Sequence, residues 1–439
     1  MSAQMVGIIG IVVVTALLFS RMWIGLSMML VGFFGSWYLA DWNTAMSIVG
    51  VVPFSQSMIY ALTCMPMFIL MGIVLAMSGL GGDLYDFASK WMGRIRGSLA
   101  MATLLACGFF SAVCGDSVTT AVTMGKVSYP EMKRHKYADS IALGSISAGG
   151  TVGVLIPPSI CFIIYGLITQ QSIGALFMAG VIPGITQVLF YMITIAVIAK
   201  IKPHLIPKGE KVQMVEKIKS TKTIWPVAIL FIVVMSGIYL GWFTPTEAGA
   251  IGASVSIIIT LLNRRIQGKL SASFIEALKN SAMVYFLIVG AYVFLRFLAL
   301  TKLPANLGNA VMSLYTNYGF SRLWIILALA LMYIVFGAFL DVLACILLTL
   351  GIVYPIVEGL GFSLIWFGVI VVRLMEIGMI SPPLGLNLFA VTKTTKTSIS
   401  SAFKGILPFL IADGVHLLLL VFFPSLSLWI PSLMKTTFS

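Results

Sequence analysis

Charge is scarce in this sequence. Only 9% of its 439 residues are Asp, Glu, Lys or Arg, against about a quarter in soluble domains. With 60% hydrophobic residues, the shortage excludes both a soluble globular enzyme and a disordered chain. Histidine is nearly absent: His135, His204 and His416 lie far apart. The five cysteines, Cys64, Cys107, Cys114, Cys161 and Cys345, form no C-x-x-C pair. Neither a metal site nor a disulfide framework is indicated. There is no H-E-x-x-H, no G-x-S-x-G, and no Ser or Cys with a plausible His partner. An intramembrane enzyme therefore has no visible catalytic set. No basic residue precedes the first apolar run, which argues against a cleavable signal peptide.

What the chain has is long apolar runs. A membrane-spanning helix needs about 20 such residues. The runs are continuous rather than alternating, which excludes a β-barrel. The expected fold is an all-α polytopic membrane protein. Spans are expected at 5–19, 22–39, 57–79, 98–128, 141–168, 172–200, 224–243, 245–262, 281–300, 322–353, 362–392 and 402–430. A polar linker, 201–222, carries Lys202, Lys208, Lys211, Lys217, Lys219 and Lys222. Segments 82–96 and 270–280 read as amphipathic surface helices.

The runs 98–128 and 322–353 are interrupted at Cys114-Gly115-Asp116-Ser117 and Gly337-Ala338-Phe339-Leu340-Asp341. Each is one long span, two spans or a re-entrant hairpin. The net charge of +13 helps to choose, because cytoplasmic loops collect Lys and Arg. With the N-terminus outside and both runs re-entrant, the inside collects Arg21, Lys90, Arg94, Arg96, Lys126, Lys133, Arg134, Lys136 and the linker. Arg264, Arg265, Lys269, Lys279, Lys393, Lys396 and Lys404 fall there too. Little beyond Lys302, Arg322 and Lys435 remains outside. The hairpin fits best, although two tightly packed spans give the same charge result. Basic charge placed by topology needs no nucleic acid to explain it.

A fixed shift of 225 residues relates Asp116 to Asp341, Tyr129-Pro130 to Tyr354-Pro355, Gly153 to Gly378 and Pro157-Pro158 to Pro382-Pro383. Each half reads as five spans plus one hairpin. Five is odd, so the repeats are expected to be inverted. Inverted repeats with broken helices are the architecture of secondary transporters. A channel would leave a similar trace.

Proline removes a backbone donor and disfavours helix before it, and Gly149, Gly150 and Gly153 are expected to let the chain unwind. Carbonyls freed at Gly150, Pro157, Gly337, Gly378 and Pro382 are hard oxygen ligands suited to Na⁺, helped by Thr151 and Ser159. A plain proline kink is the rival reading. Asp116 or Ser117, followed by Thr119 and Thr120, would either cap a helix N-terminus or serve the site. Such an N-terminus also offers N–H groups to a substrate carboxylate, whereas Asp116 would repel one and is assigned to Na⁺ or to the cap. Asp341 divides the same way. Arg373 and Glu376 are expected to pair three residues apart, with Arg373 alternatively meeting an anionic substrate. Asn387 follows the second break. Arg296, Asp413 and His416 have no visible partner pattern.

Gly115-Asp116-Ser117 with Thr119-Thr120, Tyr129-Pro130-Glu131-Met132, Gly149 through Gly153 with Pro157-Pro158-Ser159, Ser172-Ile173-Gly174 with Pro183-Gly184, Thr244 through Gly249, Phe339-Leu340-Asp341 and Pro382 through Asn387 together resemble the large, DctM-like membrane subunit of tripartite ATP-independent periplasmic (TRAP) transporters. The likeness runs from about residue 60 to the last span. It implies a scaffold at 1–97 and 223–321, transport regions at 98–168 and 322–395, a connecting span at 169–200, the cytoplasmic linker at 201–222, and a last span with the C-terminus at 396–439. It implies an elevator mechanism in a bacterial inner membrane, driven by co-transported Na⁺ with no organic cofactor. Both termini would be periplasmic. The implied partners are a small four-span membrane subunit on a separate chain and a periplasmic substrate-binding protein. The cargo would be an organic acid, sialic acid first and a C4-dicarboxylate second, with Thr120, Ser159, Asn387 and Arg373 on the substrate side. Many relatives carry a small or hydroxyl residue where this chain has Asp116. The nearest alternative is a Na⁺/dicarboxylate symporter that needs no binding protein.

Overall fold

A computed structural model describes residues 1–20, 22–209, 211–262 and 270–434, with the backbone alone at Pro226. Arg21, Arg264, Arg265, Lys269 and Lys435, used in the charge argument, lie outside the described residues. Among the described residues there are helices and no strands. In chain order they are α1 (Ala3–Phe19), α2 (Ile24–Leu39), α3 (Trp42–Ser57), a 3₁₀ turn (Tyr60–Thr63), α4 (Cys64–Met77), α5 (Leu80–Met92), α6 (Ser98–Cys114) and α7 (Ser117–Arg134). There follow α8 (Asp139–Leu155), α9 (Ile160–Thr169), α10 (Ile173–Ile201), α11 (Met214–Tyr239), α12 (Pro245–Leu262), α13 (Leu270–Thr301) and α14 (Leu303–Tyr318). The last are α15 (Arg322–Phe339), α16 (Val342–Gly359), α17 (Leu364–Ile380), α18 (Leu386–Thr395), α19 (Ile399–Phe422) and α20 (Ser425–Leu433).

Eight helices, or nine with the bent α11 counted as one span, are long and apolar enough to cross a membrane among the described residues. Their outward faces carry Phe, Ile, Leu and Trp side chains, which water would penalise and lipid does not. Two groups of helices emerge. In one, α2 lies along α13 and α4 along α12. In the other, α8 is enclosed by α6, α7, α10, α17, α18 and α19, while α17 packs on α15, α16 and α19. Every residue of α8 from Ile141 to Leu155 is buried, as is every residue of α17 from Trp366 to Ile380. These two broken-span helices form the interior of the molecule.

Five expectations need correction. The linker is helical from Met214 onward. Trp91 of α5 donates to the Thr221 hydroxyl at 3.1 Å, and the Lys217 ammonium lies over the Trp91 ring. Segment 270–280 is the first part of α13 rather than a separate surface helix. No proline or glycine interrupts the chain before Gly290, so the backbone ladder runs on. The run 402–430 is divided between α19 and α20 at Phe423 and Pro424, where proline cannot continue the ladder. Helices α3 and α14 were not foreseen, because both mix polar and apolar residues too evenly for a span. An Asp41 cap on the Thr44 N–H at 2.7 Å starts α3, and Gly319 at φ 67° ends α14. Finally, Gly149, Gly150 and Gly153 do not unwind α8, which stays helical to Leu155.

Candidate functional site: two hairpin tips, two broken helices and a buried charge cluster

The first interrupted run turns between α6 and α7. Gly115 ends α6 at φ 62°, a left-handed conformation that costs other residues roughly 1–2 kcal/mol. Its missing side chain also matters, since a Cβ there would lie 2.4 Å from the Pro158 carbonyl oxygen. The first tip therefore rests on the first break, residues 156–159. The glycines of α8 explain how. A Cβ on Gly150 would meet the Ala121 Cβ at 2.6 Å, and one on Gly153 would meet the Asp116 carbonyl at 3.1 Å. They admit the hairpin against an intact helix; they do not loosen it.

The second interrupted run repeats the arrangement. A Cβ on Gly378 of α17 would lie 2.6 Å from the Gly337 backbone, and one on Gly337 would lie 2.9 Å from the Met375 carbonyl. The second break occupies residues 381–385. The Pro157-Pro158 and Pro382-Pro383 bonds are both cis. The surroundings differ: Pro157, Pro158 and Ser159 are buried, whereas Pro382, Pro383 and Leu384 are exposed.

Both aspartates are caps. Asp116 accepts from the Thr119 N–H at 2.7 Å, and Asp341 accepts from the Leu343 N–H at 3.2 Å. Thr120 is buried and bonds back to the Asp116 carbonyl at 2.7 Å. Thr119 is exposed. Capping and charge can be separated. Asp116→Asn keeps the cap and should cost a few tenths of a kcal/mol, whereas Asp116→Ala should cost about 0.5–2 kcal/mol. Thermal melting and Na⁺-dependent uptake, measured on both, distinguish the roles. Uptake lost in Asp116→Asn with unchanged melting would make the charge itself essential. Uptake kept there and lost only in Asp116→Ala would leave Asp116 a cap.

The halves meet at Asn387 on α18. Its amide donates to the Ser117 hydroxyl at 2.7 Å and reaches the Ser147 carbonyl at 3.5 Å. Three oxygens in this region, Asn387 Oδ1, Ser147 Oγ and Ser159 Oγ, are buried without a hydrogen-bond partner. Buried polar atoms are normally satisfied, so unpartnered hard oxygens beside a helix end fit a small cation.

A second polar cluster was only half visible in the sequence. Arg373 and Glu376 pair at 2.9 Å on α17. Arg373 also donates to Asp413 and, through Nε at 3.1 Å, to His416 Nδ1, both on α19. The two N–H groups of the Gln187 amide on α10 are shared among Glu376 Oε2, the Thr151 hydroxyl and the Tyr191 hydroxyl, each 3.2 Å from Nε2. The Thr151 hydroxyl bonds the Ala148 carbonyl at 2.7 Å and lies 3.2 Å from both the Tyr191 hydroxyl and Gln187 Nε2, so it faces this cluster rather than the first tip. Arg373, Glu376, Asp413 and His416 are all completely buried. Gln187 and Tyr191 were not singled out from the sequence. The available signal was a polar pair four residues apart in an otherwise apolar span. Arg296 lies elsewhere, exposed on α13.

Broken helices and polar groups enclosed among apolar spans define a helical membrane protein of transporter architecture. The fold matches that of the Alcanivorax borkumensis YdaH transporter with a TM-score of 0.59, at 13% identity over 89% of this chain and 90% of that one. The family model for the tripartite ATP-independent periplasmic transporter, DctM component, matches residues 11–426. The chain belongs to this family and is a TRAP transporter large permease subunit. It is 34% identical to a Pseudomonas aeruginosa C4-dicarboxylate TRAP transporter large permease protein, covering 86% of this chain and 88% of that protein. It is 30% identical to a Vibrio cholerae sialic acid TRAP transporter large permease protein, covering 85% and 87%. The family is one of permeases rather than enzymes.

Proposed function

We propose that this chain is the membrane pathway of a Na⁺-driven, binding-protein-dependent importer of an organic acid, built from inverted repeats and working as an elevator in a bacterial inner membrane. The observation that carries the reading is the recurrence of a hairpin tip seated on a broken helix in both halves, at the 225-residue shift seen in the sequence. Helices α5 and α14 occupy corresponding positions under the same shift, which supports the repeat. The helices holding the tips and breaks group together, and meet the α2, α4, α12 and α13 group where α4 packs on α6 and α13 on α16. The first would be the moving body and the second the scaffold.

Na⁺ is cargo here, and the unpartnered oxygens of Asn387, Ser147 and Ser159, with the freed carbonyls near the breaks, would hold it. The N-terminus of α7 faces the same region, where the capping Asp116 carboxylate already accepts from the Thr119 N–H and would favour the cation over a second carboxylate. A small four-span subunit and a soluble periplasmic binding protein complete the proposed assembly. The relative at 34% identity is named for C4-dicarboxylates and that at 30% for sialic acid, so C4-dicarboxylate becomes the first cargo class and sialic acid the second.

Reconstitution tests this. Proteoliposomes holding the chain and its small subunit, given the binding protein, labelled succinate or sialic acid and an inward Na⁺ gradient, should accumulate one acid. Uptake that ignores the binding protein would favour the independent symporter, and no uptake by an intact complex would overturn transport. Asn387→Ala removes an inter-half bond worth about 1–3 kcal/mol when its buried partner is left behind. It should raise the Na⁺ concentration for half-maximal uptake roughly tenfold. An unchanged Na⁺ dependence would remove Asn387 from the cation site.

A further inference from the structure

Helices α7 and α18 pack along each other. At one end of their seam Asn387 donates to Ser117, a residue 270 positions away. Gly125 and Thr395 meet at the same separation, since a Cβ on Gly125 would lie 3.8 Å from Thr395 Cγ2. Equal separation at two points means that the helices run parallel and in step. From Ser117 to Gly125 an α-helix rises about 12 Å. The seam therefore leads from the unpartnered oxygens near Asn387 toward the C-terminal ends of both helices. There, beside Gly125, Thr394 and Thr395, it opens into a cleft of about 570 Å³, the size of a small-molecule site.

Lys126, Lys133 and Arg134 of α7 line this cleft, and among the described residues no Asp or Glu does. Two of the three have an ordinary explanation. Lys133 and Arg134 lie in the last turn of α7, where cations favour the free carbonyls and the negative dipole end. Lys133 also pairs with Asp139 at 2.7 Å, and Arg134 with Glu131 at 3.6 Å. All four side chains are more than a third exposed. Exposed pairs contribute little to stability, so these cations are readily shared with an incoming anion. Lys126 has no such explanation. It lies more than two turns before the end of α7, beyond the reach of the dipole end. Its side chain is exposed and has no ion-pair or hydrogen-bond partner among the described residues. One exposed lysine is ordinary; three cations around one acid-free cleft are not. Lys393 and Lys396, exposed at the end of α18, add to a positive potential that a cleft concentrates.

We propose that this cleft is an anion-binding site, taking the carboxylate or phosphate group of a small molecule or of a lipid headgroup. Lys126 supplies the charge that no other group uses. Arg134 supplies a planar fork that matches two oxygens of either group. Lys133 adds a third contact by sharing its bridge with Asp139. On the transport reading, a carboxylate leaving the Asn387 region along the seam would meet this cleft next. The binding itself does not rest on that reading.

Lysine acylation reads the site residue by residue. A water-soluble N-hydroxysuccinimide ester attacks neutral amines, and a bound anion keeps an ammonium charged. The full chain in phosphatidylcholine nanodiscs is treated in Na⁺-free buffer of fixed ionic strength, with chloride, inorganic phosphate or succinate, and modified peptides are quantified by mass spectrometry. Phosphate and succinate should slow acylation of Lys126 about threefold or more. Lys219, exposed on α11, should be unaffected. Protection without added anion in nanodiscs containing phosphatidylglycerol would assign the site to a headgroup. Protection that needs free anion would assign it to a small molecule. Lys133→Gln with Arg134→Gln, two exposed positions, should raise the anion concentration for half-protection of Lys126 roughly tenfold. Equal slowing at Lys126 and Lys219 would mean ionic screening alone. That result, no slowing in either nanodisc, or protection unchanged in the double variant would each overturn the proposal. None of these readouts involves uptake, so their failure leaves the transport reading standing.

Discussion

Arg373→Met should unfold much of the protein. The substitution leaves Glu376 and Asp413 enclosed with no cation, and breaking a buried pair by removing one partner costs about 3–5 kcal/mol. Total stabilities are typically about 5–15 kcal/mol, so the loss is a large share. It should be read as a lower melting temperature in detergent and a smaller monodisperse fraction on size exclusion. Removing the acids as well, in a triple Arg373→Met, Glu376→Leu, Asp413→Leu variant, should restore most of the stability, because apolar replacement of a whole buried ion cluster is often neutral or better. That contrast separates a charge effect from a packing effect. Unchanged melting in Arg373→Met would mean that the carboxylates are already neutral or hydrated, and the charge argument would fail.

Gly378→Val should abolish most uptake while leaving the chain in the membrane. The new Cβ would sit 2.6 Å from the Gly337 backbone and 2.8 Å from the Ile334 carbonyl. Backbone cannot rotate aside as a side chain does, so α15 must lift from α17. Overpacking of this kind costs roughly 1–3 kcal/mol, or about fivefold to 150-fold in any step that needs the seated hairpin. Gly414→Val is the matched control, since a Cβ there meets nothing within 4 Å, and it should transport normally. Equal uptake in the two variants would show that the second tip does not need its seat on the broken helix.

The apolar spans and the two interruptions were legible because each is a local pattern: a continuous run, a glycine followed by a cap, a doubled proline. The 225-residue shift was legible because Asp, Tyr-Pro and Pro-Pro recur in register. Two things were misread. The α8 glycines looked like points of unwinding, because sequence cannot distinguish a glycine that frees its backbone from one that admits a neighbour. Ala121 and Asp116, the groups that need the space, are set by tertiary approach. Asp413 and His416 looked partnerless because their partner, Arg373, lies 40 and 43 residues away on another helix. The Arg373–Glu376 pair was readable since i,i+3 spacing is a property of one helix. Helix α14 was missed for the opposite reason: its residues make a poor span, and only its place against α1, α13 and α16 holds it in the fold.

The bond from Asn387 to Ser117 joins residues 270 positions apart, and this has a consequence for biogenesis. Ribosomes add about 5–20 residues per second, so the first hairpin waits roughly 15–50 s in the bilayer before α18 is synthesised. During that interval Ser117 lacks its eventual donor, and α8 lacks both α17 and α19. An insertase or chaperone that shelters polar helix ends during those seconds would raise the yield of this protein. A chain truncated before residue 386 should be held by such a factor or degraded, even though every span it contains is apolar enough to insert.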